Sequence, residues 1–170
     1  GNAYITVTRP MESPLDGSFK PRDYVSNPVQ VVLNPKYAIG ANGGSDSVSV
    51  IDTTNISNET TPTGPVVKLQ PQEVARIQLA NATTAQLAPR SVIITPDATR
   101  AYVLLSYGRG VAVIDAVGLH EVDVNLNLQG IQHIDLPAGA TPFKGAIDPT
   151  GGLLYITVEL SGSVYVVDVD

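Results

Sequence analysis

Three aspartates have the most regular placement of any acids in this sequence. Asp52 ends the segment SVSVID, Asp115 ends GVAVID and Asp168 ends SVYVVD. Carboxylates at equivalent positions would form a ring of negative charge around a channel if their side chains converged. Aspartate also closes turns by accepting hydrogen bonds from nearby backbone N–H groups. We favour this structural role for all three.

The two histidines, His120 and His133, are candidates for metal binding. A zinc site needs further ligands at suitable spacings, and neither histidine has such a partner along the chain. The sequence contains no cysteine, so thiolate metal sites, disulfides, haem attachment through CxxCH and cysteine nucleophiles are excluded within these residues. We therefore predict structural or surface roles for both histidines.

Asp123, Asn125 and Asn127 place three oxygen ligands at alternate positions, as the start of a calcium-binding loop does. An EF-hand then needs Gly at its sixth position and Glu at its twelfth, where this chain has Leu128 and Ile134. Alternating polar and apolar residues are also typical of a half-exposed strand or of its flank. We favour this interpretation over a calcium site.

Asp46 and Arg109 occupy matching turns and would touch a ligand at one end of the fold, although exposed turn charges are common. The glycine-rich run Gly40–Gly44 resembles a dinucleotide loop, but no helix follows to bind the phosphate. A serine nucleophile elbow is absent. The sequence thus predicts no catalytic, cofactor-binding or metal-binding residues and no cofactor, and favours a protein that is not an enzyme.

The composition is that of a globular, acidic protein. The 170 residues are 43% hydrophobic and 15% charged, with a net charge of −6. The ten basic residues are scattered, which argues against nucleic acid as a partner. Apolar runs are all shorter than the roughly 18 residues of a membrane span, so membrane insertion is not expected.

The segments that carry these residues are repeated. The stretch from Ala88 to Asp115 aligns without a gap with the stretch from Thr141 to Asp168, and matching residues lie 53 positions apart. A third copy ends at Asp52, and AYITVT at residues 3–8 resembles LYITVE at residues 154–159. Repetition at this period indicates one supersecondary unit that must stack on its neighbours to bury its faces.

Each copy predicts four strands rich in β-branched residues. Turn residues separate them. Polar inserts at Thr53–Pro65 and Arg9–Pro21 predict exposed loops. The predicted first strands are Val29–Leu33, Ser91–Ile94 and Lys144–Ile147; the second are Tyr37–Ala41, Ala101–Leu105 and Leu153–Val158; the third end at the three aspartates; and the fourth are Val74–Ala80 and Ile131–Pro137.

The copies TPDATRAYVLL, DPTGGLLYITV, SDSVSVID and SGSVYVVD resemble the YVTN family of β-propeller repeats. The resemblance covers roughly residues 28–170. It implies an all-β fold with blades of four antiparallel strands, about three and a half of which are present. We expect a single partial propeller domain at 1–170, with blades at 1–25 (partial), 26–80, 81–137 and 138–170, the last without its fourth strand. The chain is expected to be a segment of a longer protein.

The resemblance implies a non-catalytic binding or scaffold domain of an extracytoplasmic protein, periplasmic, secreted or at the cell surface. Its ligand would be a protein or glycan held on rim loops. The remaining blades, or a self-associated copy, are further expected partners. The alternative is the propeller portion of an oxidoreductase or lactonase-like enzyme whose metal or cofactor ligands lie elsewhere. A third hypothesis is that the chain is a repeat segment of a fibre or surface layer.

Three N-glycosylation sequons are present, at Asn55, Asn58 and Asn81. The sequence leaves open whether any of them is used.

Overall fold

The computed structural model describes residues 28–33, 36–80 and 86–170; the side chains of residues 28–33 and of Glu59 are outside this description. The AYITVT copy, the loop predicted at Arg9–Pro21 and the sequon at Asn81 lie outside the described residues. Within them, all regular elements are strands. In chain order these are β1 (Pro28–Leu33), β2 (Tyr37–Asn42), β3 (Ser47–Asp52), β4 (Ile56–Thr61), β5 (Gly64–Leu69), β6 (Gln72–Gln78), β7 (Pro89–Ile94), β8 (Arg100–Leu105), β9 (Gly110–Asp115), β10 (His120–Val122), β11 (Ile134–Asp135), β12 (Pro142–Ile147), β13 (Leu153–Val158) and β14 (Ser163–Asp168).

The first sheet has four antiparallel strands in the order β1-β2-β3-β6. Cross-strand pairs such as Ile39 and Val50, and Ala41 and Val48, place small and β-branched side chains on one face. That face is buried, because these four side chains belong to a cluster shared with the second sheet. The predicted fourth strand Val74–Ala80 is present as β6, beginning and ending two residues earlier.

The segment between β3 and β6 is a β-hairpin, so the loop predicted at Thr53–Pro65 is wrong. β4 and β5 pair antiparallel as a separate two-stranded sheet, with Ile56 opposite Leu69 and Thr61 opposite Gly64. The turn Thr61–Gly64 closes with a hydrogen bond from the Thr61 hydroxyl to the Gly64 carbonyl (2.7 Å), and Gly64 has a φ of 123°. Threonine and isoleucine suit strands, and Pro-Thr-Gly forms the turn between them.

The second sheet has the strand order β10-β9-β8-β7, and its predicted fourth strand, Ile131–Pro137, is wrong in its bounds. β10 pairs with the end of β9 and β11 with its beginning, so that Val122 lies opposite Val113 and Ile134 opposite Val111. Residues 123–133 form a loop between the two halves. Asp123 Oδ1 accepts the N–H groups of Asn125 and Gln132, both at 3.0 Å, which closes the loop and lets the strand resume in register.

The third sheet has the order β12-β13-β14. Within the described residues its outward face is uncovered, as a comparison of equivalent repeat positions shows. Val111 in the second sheet is 0% exposed, whereas Val164, at the equivalent position 53 residues later, is 59% exposed. Among the described residues, no strand lies on the free edge of β14.

The three sheets stack face to face through two hydrophobic clusters. Alternation along β8 sends Val103 and Leu105 toward the first sheet, and Tyr102 and Leu104 toward the third. Because successive side chains of a strand point to opposite faces of the sheet, the same strand contributes to the packing against both neighbouring sheets. The first strands β1, β7 and β12 lie beside one another, which places them on the inside of the stack.

The turns after β7 and β12 carry the same Thr–Asp hydrogen bond with the two residues exchanged. In the first, the Thr95 hydroxyl donates to Asp97 (2.5 Å); in the second, the Thr150 hydroxyl donates to Asp148. These hydroxyl donors are the main cause that lowers the pKa of both carboxyls, that of Asp148 to about 2. The repeat thus preserves the interaction rather than the residue at each position.

Candidate functional site

The three regularly placed aspartates close turns, as favoured from the sequence. Asp52 accepts hydrogen bonds from the Thr54 N–H (2.8 Å) and hydroxyl (2.7 Å). Asp115 accepts the N–H groups of Val117 (2.8 Å) and Gly118 (2.7 Å), and Asp168 accepts that of Asp170 (3.3 Å).

These bonds also affect titration. The Thr54 hydroxyl lowers the pKa of Asp52, and the Gly118 N–H lowers that of Asp115. Each lowered pKa therefore has a local structural cause.

Asp46 and Arg109 have equivalent backbone roles, and only Arg109 presents its side chain to solvent. Both have a left-handed backbone, with φ of 47° and 55°. The carbonyl of Asp46 accepts the Leu79 N–H (3.0 Å), and that of Arg109 accepts the Leu136 N–H (3.1 Å). Each turn therefore fixes the residue that directly follows the fourth strand, Leu79 after β6 and Leu136 after β11.

The carboxylate of Asp46 has a further structural task. It is buried and accepts the N–H groups of Leu87 (3.1 Å) and Ala88 (2.8 Å), in the connection between the first and second sheets. This carboxylate is directed into the protein rather than toward a ligand.

One histidine is exposed and the other is partly buried. His120 begins β10 at the surface. His133 is paired with Glu121, whose Oε1 lies 2.8 Å from His133 Nε2. The other oxygen of Glu121 accepts the Ala80 N–H (2.7 Å). Glu121 thus joins the end of the first sheet to the interrupted strand of the second.

In the calcium-like segment, the side-chain oxygens of Asp123 and Asn125 accept backbone N–H groups of their own loop. Asn125 Oδ1 accepts the Asn127 N–H (3.2 Å), in addition to the bonds of Asp123 described above. Gly40 lies inside β2, and the run ending at Gly44 leads into β3. In residues 36–80 and 86–170, no three His, Cys, Asp or Glu side chains come together as metal ligands. The described residues also include no helix long and apolar enough to cross a membrane.

Three β-bulges at the starts of the inner strands form a feature that the sequence did not predict. The register of each first strand shifts after its leading proline, so Val29, Arg90 and Phe143 are the extra residues. A bulge leaves one residue outside the regular pairing and redirects its side chain. Bulges occur often beside binding sites.

Arg90 and Phe143 meet at the rim where the second and third sheets adjoin. The Arg90 guanidinium lies 3.9 Å from the centroid of the Phe143 ring and forms an ion pair with Glu159 (3.0 Å). Lys144 Nζ lies 5.8 Å from the same centroid. We call these four residues the rim cluster. The sequence places Arg90 and Phe143 at equivalent positions of the repeat, but it does not show that they are in contact.

Hydrogen bonds of the backbone and of a buried serine hold this rim in place. The Glu159 N–H donates to the Thr141 carbonyl (3.1 Å), and the Ser106 N–H donates to the Ala88 carbonyl (3.1 Å). The Ser106 hydroxyl donates to the Pro142 carbonyl (2.9 Å). The last bond links the second sheet to the third directly beside the Phe143 bulge.

The geometry can bind an anion. A guanidinium offers five N–H donors in one plane. Among the described residues, Glu159 is the only acceptor of Arg90. The rim cluster contains two cations, Arg90 and Lys144, and one anion, Glu159. It therefore has a local excess of one positive charge, although the net charge of the chain is −6. A carboxylate is the ligand group that a planar guanidinium binds through two parallel hydrogen bonds.

Comparisons with known proteins assign the fold. No protein-family model and no curated protein matches this sequence. Solved structures do: hydrazine synthase of Kuenenia stuttgartiensis (TM-score 0.59, 18% identity, 91% of this chain and 36% of that chain covered) and a protein of Bacteroides uniformis described as a 6-phosphogluconolactonase (TM-score 0.59, 17%, 86% and 40%).

The β-propeller domain of Cps50 (Swd1) from Myceliophteria thermophila is similar as well, with a TM-score of 0.58, 11% identity, and 83% of this chain and 38% of that chain covered. The present chain therefore spans well under half of each of these three. With this likeness, the stacked antiparallel sheets are blades of a β-propeller. Identities of this size carry the fold alone.

Proposed function

We propose that this chain is part of a non-catalytic binding or scaffold propeller located outside the cytoplasm, and that its rim cluster binds a carboxylate on a protein or glycan. The proposal rests on one observation: the Arg90 guanidinium stacks on the Phe143 ring, and both residues lie in β-bulges at the starts of the neighbouring inner strands β7 and β12. The YVTN resemblance supports the location and the binding role.

The stacked arrangement favours recognition because it fixes the guanidinium before a ligand arrives. Glu159 holds one side of the group, and the Phe143 ring holds its face, so little rotamer freedom remains to be lost on binding. Lys144, exposed beside the same ring, adds a second cation for longer-range attraction.

Two probes test this site: a fluorescein-labelled hexaglutamate peptide for a protein-like ligand and an oligogalacturonate for a glycan-like one. Binding is measured by fluorescence anisotropy for the peptide and by calorimetry for the sugar. We expect Arg90→Gln to weaken binding about 10- to 100-fold, because hydrogen bonds to charged groups contribute about 1.5–3 kcal/mol.

Arg76→Gln is the matched control. Arg76 is 40% exposed and paired with Glu73, as Arg90 is 37% exposed and paired with Glu159, but it lies on β6 away from the rim cluster. Equal affinity of the two variants for both probes, or absence of binding to the unaltered protein, would contradict the proposed site.

The alternative, the propeller portion of an oxidoreductase or lactonase-like enzyme, has less support. The two similar structures whose names describe enzymes are 17–18% identical in sequence to this chain. An identity of this size supports a shared fold but not a shared reaction. The rim cluster is an observation on this chain itself, and we therefore prefer the binding role.

A further inference from the structure

We propose that Asn58 is an N-glycosylation site whose sugar covers the exposed face of the β4–β5 hairpin, and that Asn55, three residues earlier, is not used. The inference rests on the extracytoplasmic location in the proposed function. It depends on two neighbouring sequons that have the same sequence pattern but different surroundings in the structure.

The hairpin carries several large apolar side chains that are exposed. Ile56 is 58% exposed, Val67 64% and Leu69 70%. The register places Val67 opposite Asn58, and Ile56 opposite Leu69. Since alternate residues of a strand share a face, Asn58 and these three apolar side chains lie on one side of the hairpin.

A glycan on Asn58 therefore suits this surface. It would begin in the centre of the apolar strip, next to its directly opposed neighbour Val67. Sugar rings have apolar faces that pack on such a strip while their hydroxyl groups remain in water. A covering sugar also accounts for apolar side chains that would otherwise be in contact with water.

Asn58 is accessible for transfer. Asn58 and the Thr60 of its sequon are both exposed.

Asn55 is placed differently. Its side-chain amide donates to Gln72 Oε1 (3.4 Å) and its carbonyl accepts the Gln70 N–H (2.8 Å), which fixes it at the base of the hairpin. The hydroxyl of Ser57, the third residue of its sequon, is buried. The hydroxyl that a transferase must recognise is thus exposed at one sequon and hidden at the other.

The transfer itself requires a polyprenyl-diphosphate-linked oligosaccharide as donor. Asn58 Nδ2 forms a bond to the anomeric carbon of the first sugar, and the bond from that carbon to the diphosphate oxygen breaks. The lipid diphosphate leaves with the electron pair, and the amide nitrogen loses one proton. No oxidant or reductant is needed.

Mass spectrometry of the protein isolated from its natural source tests the site. The tryptic peptide from Tyr37 to Lys68 contains both asparagines, and electron-transfer fragmentation locates the sugar between them. We expect hexose or N-acetylhexosamine increments on Asn58 and none on Asn55. Unmodified Asn58, or a glycan on Asn55 instead, would overturn the inference.

Two variants secreted from yeast provide a second measurement. Thr60→Ala should remove the gel shift that an endoglycosidase also removes, whereas Ser57→Ala should leave the shift unchanged. The opposite result would refute the structural distinction between the sequons. Absence of a glycan together with Arg90-dependent probe binding would refute this inference alone, and a glycan without such binding would refute the rim site alone.

Discussion

Replacing Asp46 by alanine should be among the most destabilising single changes at a turn of this protein. The substitution removes the acceptor of two N–H groups, those of Leu87 and Ala88, at a residue that is only 9% exposed. An unsatisfied buried N–H costs about 1–3 kcal/mol. Alanine at the left-handed φ of 47° adds a cost on the order of 1 kcal/mol.

The expected loss in free energy of unfolding is therefore about 3–5 kcal/mol, since some water will reach the connection and reduce the upper limit. Urea unfolding measures it. With a slope of about 2 kcal/mol per M, the midpoint should fall by about 1.5–2.5 M while the slope is unchanged. Asp46→Asn, which keeps an acceptor oxygen, should lose only about 1 kcal/mol.

Arg109→Ala is the control, because Arg109 has the same backbone conformation at the equivalent turn and an exposed side chain. We expect a change within about 0.5 kcal/mol for this variant. If Asp46→Ala falls within the same range, the carboxylate does not hold the connection between the sheets and the reasoning is refuted.

Three further predictions concern the core, the buried acid and the turns. Val111→Ala should cost about 1–3 kcal/mol in urea unfolding and Val164→Ala less than about 0.5 kcal/mol, since Val111 is buried against the third sheet and lies opposite Ile134, whereas Val164 is exposed; equal costs would contradict the stacking. Glu121→Ala removes the partner of His133 and the acceptor of the Ala80 N–H and should cost about 2–4 kcal/mol by the same assay, with a cost under about 1 kcal/mol counting against this role. The pKa of the Asp148 carboxyl is lowered from 3.8 to about 2, so the ionised carboxylate stabilises the folded state above its unfolded pKa. This stability is lost as the pH falls from about 4 to 2. Asp148→Asn should therefore flatten the acid limb of a plot of unfolding free energy against pH, and an unchanged limb would refute the assignment.

Much of the architecture could be predicted from local pattern. The strands carry β-branched runs with period two, and prolines, glycines and aspartates punctuate them, so the sequence determines both their type and their order. The turn role of Asp115 was predictable for the same reason, because its hydrogen bonds reach residues only two and three positions away.

The hairpin and the interrupted strand could not be predicted in this way. The run from Thr53 to Pro65 is polar and rich in turn residues, and its strand β4 pairs with β5, most of which lies beyond this run. The break in the fourth strand depends on the bond from the Gln132 N–H to Asp123, nine residues earlier. Both features depend on partners that periodicity does not reveal.

The rim cluster was missed for a different physical reason. Arg90 and Phe143 are 53 residues apart and meet only because neighbouring sheets stack with their inner strands side by side. Each of these two residues is the extra residue of a β-bulge. A bulge depends on how two strands pair and not on the composition of one strand, so the sequence of one strand does not reveal it. The useful signal in the sequence was their equivalent position one residue after the prolines of the repeat.

The described residues leave one edge of β14 without a neighbouring strand, and such an edge is a template for strand addition. The segment SVYVVD from Ser163 to Asp168 contains four consecutive residues of high β-propensity and a single charged side chain. An extended segment, from this protein or from a partner, would pair with this edge through backbone hydrogen bonds and continue the sheet. Asp168, at the end of the strand, disfavours in-register pairing between identical copies, because their like charges would then align.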